Sequence, residues 1–410
     1  MGRFIVVVLD GFGIGEMADV SMTRPNDVGA HTAGKLIKEF TNCSLPTIEG
    51  LGLTHLVDAS ASGESKYKPV YGRANLMHEG ADTFMGHQEI MGTLPKSPLV
   101  IPFQHALPKI KQALFNNYFR VQEVTQNGLS ALLVEDAVVV GDNLEADLGQ
   151  VYNLTANLSA VTFEKLLSIA KVVRSANEVG RNIAFGGYLD TSSAMLEAIE
   201  TKSINGVPTY IGVNSPKSGV YERGFQVQHI GYGVDHETQV PQQLKSINIP
   251  TYLYGKVADI VSNSSGVNYQ SMVDTNLLFD KLFADISRHT TGFFCLNVQE
   301  TDLAGHQQNS QQYWNILSKA DKRIAQIIDA MSNDDYLIVM ADHGNDPYIG
   351  HSKHTREQVP LLIHNKKLTQ TKDIGTRKTL SDVGATVCDY FSAPMPENGK
   401  SFLTQLNTLT

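Results

Sequence analysis

Four short apolar runs, at residues 4–9, 251–254, 293–298 and 336–341, each break off at a glycine or a polar residue. Runs of that length without polar alternation belong to strands covered on both faces, which points to a mostly parallel sheet held between other layers. Between the last two runs, apolar residues recur at 314, 317, 320, 324, 327 and 331, a spacing of three and four that predicts an amphipathic helix over 313–331. A second helix is predicted over 277–286. Strand, helix, strand in this order specifies an α/β fold.

The middle of the chain breaks this rhythm. After the turn-rich stretch 92–98 come a helix near 107–115, strands near 131–140 and a helix near 163–176. A chain of 410 residues is too long for one small core. The expected organisation is a core built from 1–96 and 221–410, with 97–220 as an inserted α+β domain.

Composition removes some classes of function. A net charge of −9 offers no basic surface of the kind a general nucleic-acid binder needs. An acidic enzyme can still take phosphorylated substrates where metals supply the local positive charge. The cysteines, Cys43, Cys295 and Cys388, are too scattered for a disulfide framework or a paired-cysteine metal site, which fits a reducing compartment. No apolar run approaches the roughly 18 residues of a membrane span. The expectation is a soluble, cytoplasmic protein without nucleic-acid or membrane partners, its oligomeric state left open.

The chemistry gathers where the apolar runs stop. Asp10 follows the first run and precedes Gly11, Gly13 and Gly15. An aspartate at the carboxyl end of a parallel strand faces the crevice where such folds bind ligands; the alternative is an aspartate capping a tight turn. Asp342 and His343 follow the last run, with His354 beyond them, and aspartate with histidine suits borderline divalent metals. Asp302 and His306, four residues apart, share one side of a helical turn, a chelating arrangement; the alternative is a helix-capping aspartate beside a surface histidine. Thr83 lies in Gly80-Ala81-Asp82-Thr83, and metal coordination is what would activate its hydroxyl. Jointly, these clusters favour a bound metal pair over separate capping roles.

Three segments, Asp10 to Gly15, Gly80 to Gly92 and Ala341 to Pro360, resemble the phosphopentomutases of the alkaline phosphatase superfamily, as do Asn26 to Ala30, Tyr254 to Ile260 and Leu380 to Thr386. The matches run in order along nearly the whole chain. The resemblance implies an alkaline-phosphatase-like core, with a mostly parallel sheet sandwiched by helices, and a mobile cap. It also implies two divalent ions of the Mn²⁺ type, with Mg²⁺ or Zn²⁺ as alternatives. One ion would be held by Asp10, Asp342, His343 and Thr83, the other by Asp302, His306 and His354. Thr83 would be the nucleophile that carries the phosphate. Asp82, His87, Asp147, Arg181 and Lys256 would contact a small phosphorylated metabolite.

The departures bear on the substrate. Glu300-Thr301-Asp302-Leu303-Ala304-Gly305-His306 is closer to the cofactor-independent phosphoglycerate mutases. Arg181 keeps the first arginine of a cap motif, but Phe185 stands where a second is usual, and the basic segment that normally follows is not recognisable over 190–220. The expected activity is that of a phosphomutase on a small phosphorylated sugar or similar metabolite. The rivals are a phosphatase or phosphodiesterase on the same core, and a metal-binding protein without catalysis.

Overall fold

All seven residues of the strand Arg3–Leu9 are buried, so both faces of this strand are covered. It lies inside an eight-stranded sheet of the computed structural model, which describes residues 2–57, 65–145 and 148–409. The strand order is Val267–Tyr269, Thr251–Tyr254, Gly292–Val298, Arg3–Leu9, Tyr336–Met340, Val359–His364, Val70–Ala74 and Lys372–Arg377. The first five are mutually parallel. The four apolar runs are adjacent and make up all of that parallel block but its outermost strand, Val267–Tyr269, and the fold is α/β, as expected.

Val359–His364 is the exception, antiparallel to both of its neighbours. That reversal brings Val70–Ala74 back into the common direction. The segments 341–358 and 75–82 therefore lie at the same edge of the sheet as the carboxyl ends of the parallel strands. Every chemical segment of the first unit meets at this edge.

The helix expected over 313–331 runs over Ser310–Ala330, started by Asn309, whose side chain accepts the Gln312 N–H. Met331 has left the helix, with ψ at 146°. Its buried stripe includes Trp314, Leu317, Ala320, Ile324 and Ile327; each large apolar side chain so buried is worth about 1.5–3 kcal/mol.

The chain divides into two compact units, Met1–Pro95 with Asp235–Thr410, and Lys96–Val234. The second has its own six-stranded sheet, ordered Gln226–Gly231, Arg181–Gly187, Val151–Asn157, Val138–Asp142, Leu129–Val134 and Val121–Gln126. The helices Phe103–Asn116 and Phe163–Ser175 supply Ile110, Leu114, Leu166 and Val173 to the core on one face. The stretch 131–140 proves to be a hairpin turning at Glu135 and Asp136, both with positive φ. The unit extends past 220 to Val234, because Gln226–Gly231 pairs with Arg181–Gly187. That edge strand is largely exposed and carries no apolar run to announce it.

A buried ion pair ties the first strand to the loop before Tyr336–Met340. Asp335 accepts the Arg3 N–H at 2.7 Å and its Nε–H at 2.9 Å. Burial works against the Asp335 charge, but Arg3 and the Ser332 N–H hold the carboxyl below its usual range. Removing one partner leaves the other charge buried and alone, so Asp335→Ala is expected to cost about 3–5 kcal/mol. Because the folded carboxyl is depressed, this contribution is complete above the ordinary aspartate range and is lost as pH falls through the folded value. Urea unfolding of wild type and variant at neutral and acidic pH checks both points: the gap between midpoints should narrow in acid.

Candidate active site

Four neighbouring parallel strands deliver the central residues. Asp10 follows Arg3–Leu9; Asp302 and His306 lie on the helix Gln299–His306 after Gly292–Val298; Asp342 and His343 follow Tyr336–Met340; Lys256 opens the helix Lys256–Ile260 after Thr251–Tyr254. His354 reaches in from the segment before Val359–His364. Asp10, Asp302, Asp342 and His343 are buried.

Ligand-type atoms fall into two groups, Asp10–Asp342–His343 and Asp302–His343–His354, each with its atoms within 4.8 Å of one another. His343 Nε2 lies 3.4 Å from Asp10 Oδ1 and 3.3 Å from Asp342 Oδ2. His354 Nε2 is 3.3 Å from Asp302 Oδ1, and His306 Nε2 is 3.4 Å from Asp302 Oδ2. His343 thus stands between the groups, where the resemblance placed it in one only. His306 touches the second group through Asp302 and through His354, at 3.1 Å.

Three carboxylates this close strain one another's charge. Burial and the neighbouring Asp342 push the Asp10 carboxyl up to about 7. Burial opposes the Asp302 charge too, but hydrogen bonds from His306 and His354, with Lys256 nearby, hold it well below the usual range. Asp342 is likewise held low against burial, by His87 and Lys256. Burial pushes His343 down to about 3, so its imidazole is neutral, the form that binds metals.

Thr83 is the first residue of the helix Thr83–Ile90, and its hydroxyl donates to Asp342 Oδ2 at 2.7 Å. Asp82, expected to meet substrate, caps this helix: its carboxylate accepts the Met85 N–H at 3.1 Å. His87, one turn on, is buried with Nδ1 3.2 Å from Asp342 Oδ2. Lys256, also expected at the substrate, places its ammonium 2.8 Å from Asp10 Oδ2 and 3.1 Å from Asp302 Oδ2. Those carboxylates raise its pKa despite burial. Arg181 belongs to the second unit, with Nη1 3.4 Å from His229 Nδ1. Asp147 lies outside the described residues.

Several contributors carried no assignment from sequence. Asn297 donates to Asp10 Oδ2 at 2.8 Å, and Asn345 donates to Asp302 Oδ1 at 2.8 Å. Asn297 did leave a signal, as the lone amide inside the apolar run 293–298. Glu89, fully buried, accepts the Met77 and His78 N–H groups and lies 2.7 Å from His78 Nδ1. Nothing in its spacing announces that role.

Comparison with known proteins bears on this arrangement. The chain is 27% identical to the phosphopentomutase of Clostridioides difficile strain 630, across 98% of this chain and 99% of that one. Its fold can be laid on the phosphoglycerate mutase of Leishmania mexicana with a TM-score of 0.47 and 12% identity, covering 98% of this chain and 97% of that one. Among the described residues no helix is long and apolar enough to cross a membrane. A model of the metalloenzyme superfamily matches residues 2–395, and the chain belongs to that superfamily.

Proposed function

We propose that the protein is a divalent-metal-dependent phosphotransferase of the phosphomutase type, moving a phosphoryl group within a small phosphorylated metabolite by way of Thr83. The observation that carries this reading is the hydroxyl of Thr83, aimed at Asp342 on the rim of the buried carboxylate and histidine cluster. A site built only to hold metal has no use for a nucleophile beside it.

The residues fit a metal pair. Asp10 Oδ1 and His343 Nε2 are buried and have no hydrogen-bond partner among the described residues. A buried polar atom left so is costly unless something binds it. The Lys256 ammonium already occupies a cation's position between Asp10 and Asp302. Asp10, Asp342, His343 and Thr83 would hold one ion; Asp302, His306 and His354 the other, with His343 within reach of both. Bound there, the ions would supply positive charge to the phosphoryl oxygens and acidify the Thr83 hydroxyl.

The protein's own part begins with Thr83 Oγ. It attacks phosphorus as the bond from phosphorus to the departing substrate oxygen breaks; the threonine proton leaves along its hydrogen bond to Asp342 Oδ2, and the departing oxygen takes up a proton in exchange and leaves as a hydroxyl. A second hydroxyl of the same metabolite then takes the phosphoryl group back from Thr83, so that position changes and composition does not. A screen of phosphorylated sugars with Mn²⁺ present tests this reading: isomerised product should accumulate well ahead of free phosphate. Phosphate release without isomerisation would make the protein a phosphatase, and no turnover at all would reduce it to a metal-binding protein.

The substrate is expected to differ from ribose 5-phosphate. Phe185 stacks on Tyr221, centroids 6.0 Å apart, and meets Phe225 at 6.1 Å, so an aromatic cluster stands where the resemblance leads one to expect a second arginine. A distant phosphate is best held by arginine's planar fork. Each lost charge-assisted contact costs about 1.5–3 kcal/mol, and two would lower kcat/KM by a few hundred-fold or more. Steady-state kinetics with ribose 1- and 5-phosphates should give specificity constants below about 10⁴ M⁻¹s⁻¹; an ordinary efficient value would show that other residues supply the contact.

A further inference from the structure

Thr83 is reached by an irregular segment, residues 75–82, between the strand Val70–Ala74 and the helix Thr83–Ile90. A segment with no ladder of its own must have its backbone groups met from elsewhere, or it will not hold one position. The N–H groups of Met77 and His78 go to Glu89, on the helix that Thr83 begins. Three of the segment's carbonyls, those of Leu76, His78 and Gly80, converge instead on one side chain.

That side chain is Arg356, which is buried. Nη1 donates to His78 O and to Gly80 O, each at 2.7 Å, and Nη2 donates to Leu76 O at 3.3 Å. Nε donates to Asp19 at 3.0 Å, and Nη2 lies 2.9 Å from Asp19 Oδ2. A guanidinium has five N–H donors in a fixed plane, and these contacts employ all of them. The Gly80 carbonyl can face Arg356 because Gly80 has φ at +73°, a backbone state that suits glycine. Two residues before Arg356, the His354 Nδ1 lies 2.8 Å from Ala81 O.

We infer that Arg356 is a positioning residue for Thr83: its guanidinium, anchored by Asp19, gathers the Leu76, His78 and Gly80 carbonyls and so fixes where the nucleophile's helix begins. The inference rests on the reading of Thr83 as the nucleophile. Arg356 itself touches none of the reacting groups. It acts by holding the segment still, and a misplacement of about 1 Å at a nucleophile costs on the order of 100-fold in rate. Lysine cannot replace it, since an ammonium has three donors about one point and cannot span three carbonyls and a carboxylate.

The test uses the full chain with Mn²⁺ and the fastest phosphorylated sugar from the screen above. In Arg356→Lys, kcat should fall about 30- to 100-fold while KM changes by less than about threefold and metal content stays the same. Amide hydrogen exchange should rise in peptides covering 76–82 and stay unchanged in the strands Arg3–Leu9 and Tyr336–Met340. Adding guanidinium ion to Arg356→Gly should restore part of kcat, whereas the same concentration of ammonium should not. Asp19→Asn, a change at a half-exposed anchor that leaves the guanidinium in place, should shift kcat and exchange the same way by a smaller amount, and it serves if the arginine variants do not fold. Faster exchange with an unchanged kcat would overturn the inference by making the clamp purely structural, and unchanged exchange would overturn it outright. Activity retained by Thr83→Ala would instead sink the nucleophile reading, a result separate from either.

Discussion

Replacing Thr83 by alanine is expected to abolish phosphoryl transfer while leaving a folded, metal-loaded protein. Loss of a covalent nucleophile lowers kcat by on the order of 10⁴- to 10⁶-fold, because what survives is only the stabilisation offered by the rest of the site. The substitution should be mild structurally. Thr83 opens its helix, and the cap comes from Asp82, which the variant keeps. Asp342 loses one hydrogen bond but keeps His87 and His343 nearby. Intact-mass measurement after exposure to substrate should find one phosphate on wild type and none on the variant. Thr83→Ser should retain measurable activity, since the hydroxyl remains. Full turnover by the alanine variant would refute the mechanism.

Stripping single ligands should have an effect of similar size, with a pattern particular to this geometry. Asp342→Ala and Asp302→Ala belong to different groups, so each is expected to lose about one divalent ion and most activity. His343→Ala should weaken both sites, because His343 belongs to both groups. Metal analysis of gel-filtered protein gives the counts, and a chelator titration gives the order of loss. Unchanged content in both aspartate variants would show that the cluster is not the metal site.

The carboxyl edge of the sheet was legible because its strands are buried on both faces, which forces near-continuous apolar runs, and because two of those runs stop directly at an aspartate, Asp10 and Asp342. Asp10, Asp302, His306, Asp342, His343 and His354 do lie together in the structure. The strands Val70–Ala74, Val359–His364 and Lys372–Arg377 were not read from pattern. They include Arg73, Pro360 and His364 or lie half exposed at an edge, so their apolar signal is weak.

Roles that depend on long-range partners were hidden for a different reason. Lys256 was expected at the substrate, yet its position between two aspartates 246 and 46 residues away is a fact of the sheet order. Asp82 has the residue type and position of a helix cap, and its carboxylate accepts the Met85 N–H. Arg356 reaches the Leu76, His78 and Gly80 carbonyls only because Val359–His364 and Val70–Ala74 are paired, a register that no local pattern specifies.

The order of the central strands also sets when the site can exist. Asp10 directly follows the strand Arg3–Leu9, whose neighbours on either side are Gly292–Val298 and Tyr336–Met340, made only after the whole of Lys96–Val234. During synthesis the first strand must wait, apolar and unpaired, for partners some 290 residues downstream. Pairings this distant close late and make folding slow, and an apolar strand left waiting invites aggregation. The second unit, whose strands mostly pair with near neighbours in sequence, is free to form first. Metal capture would then be a late event, reporting that the two halves of the core have met.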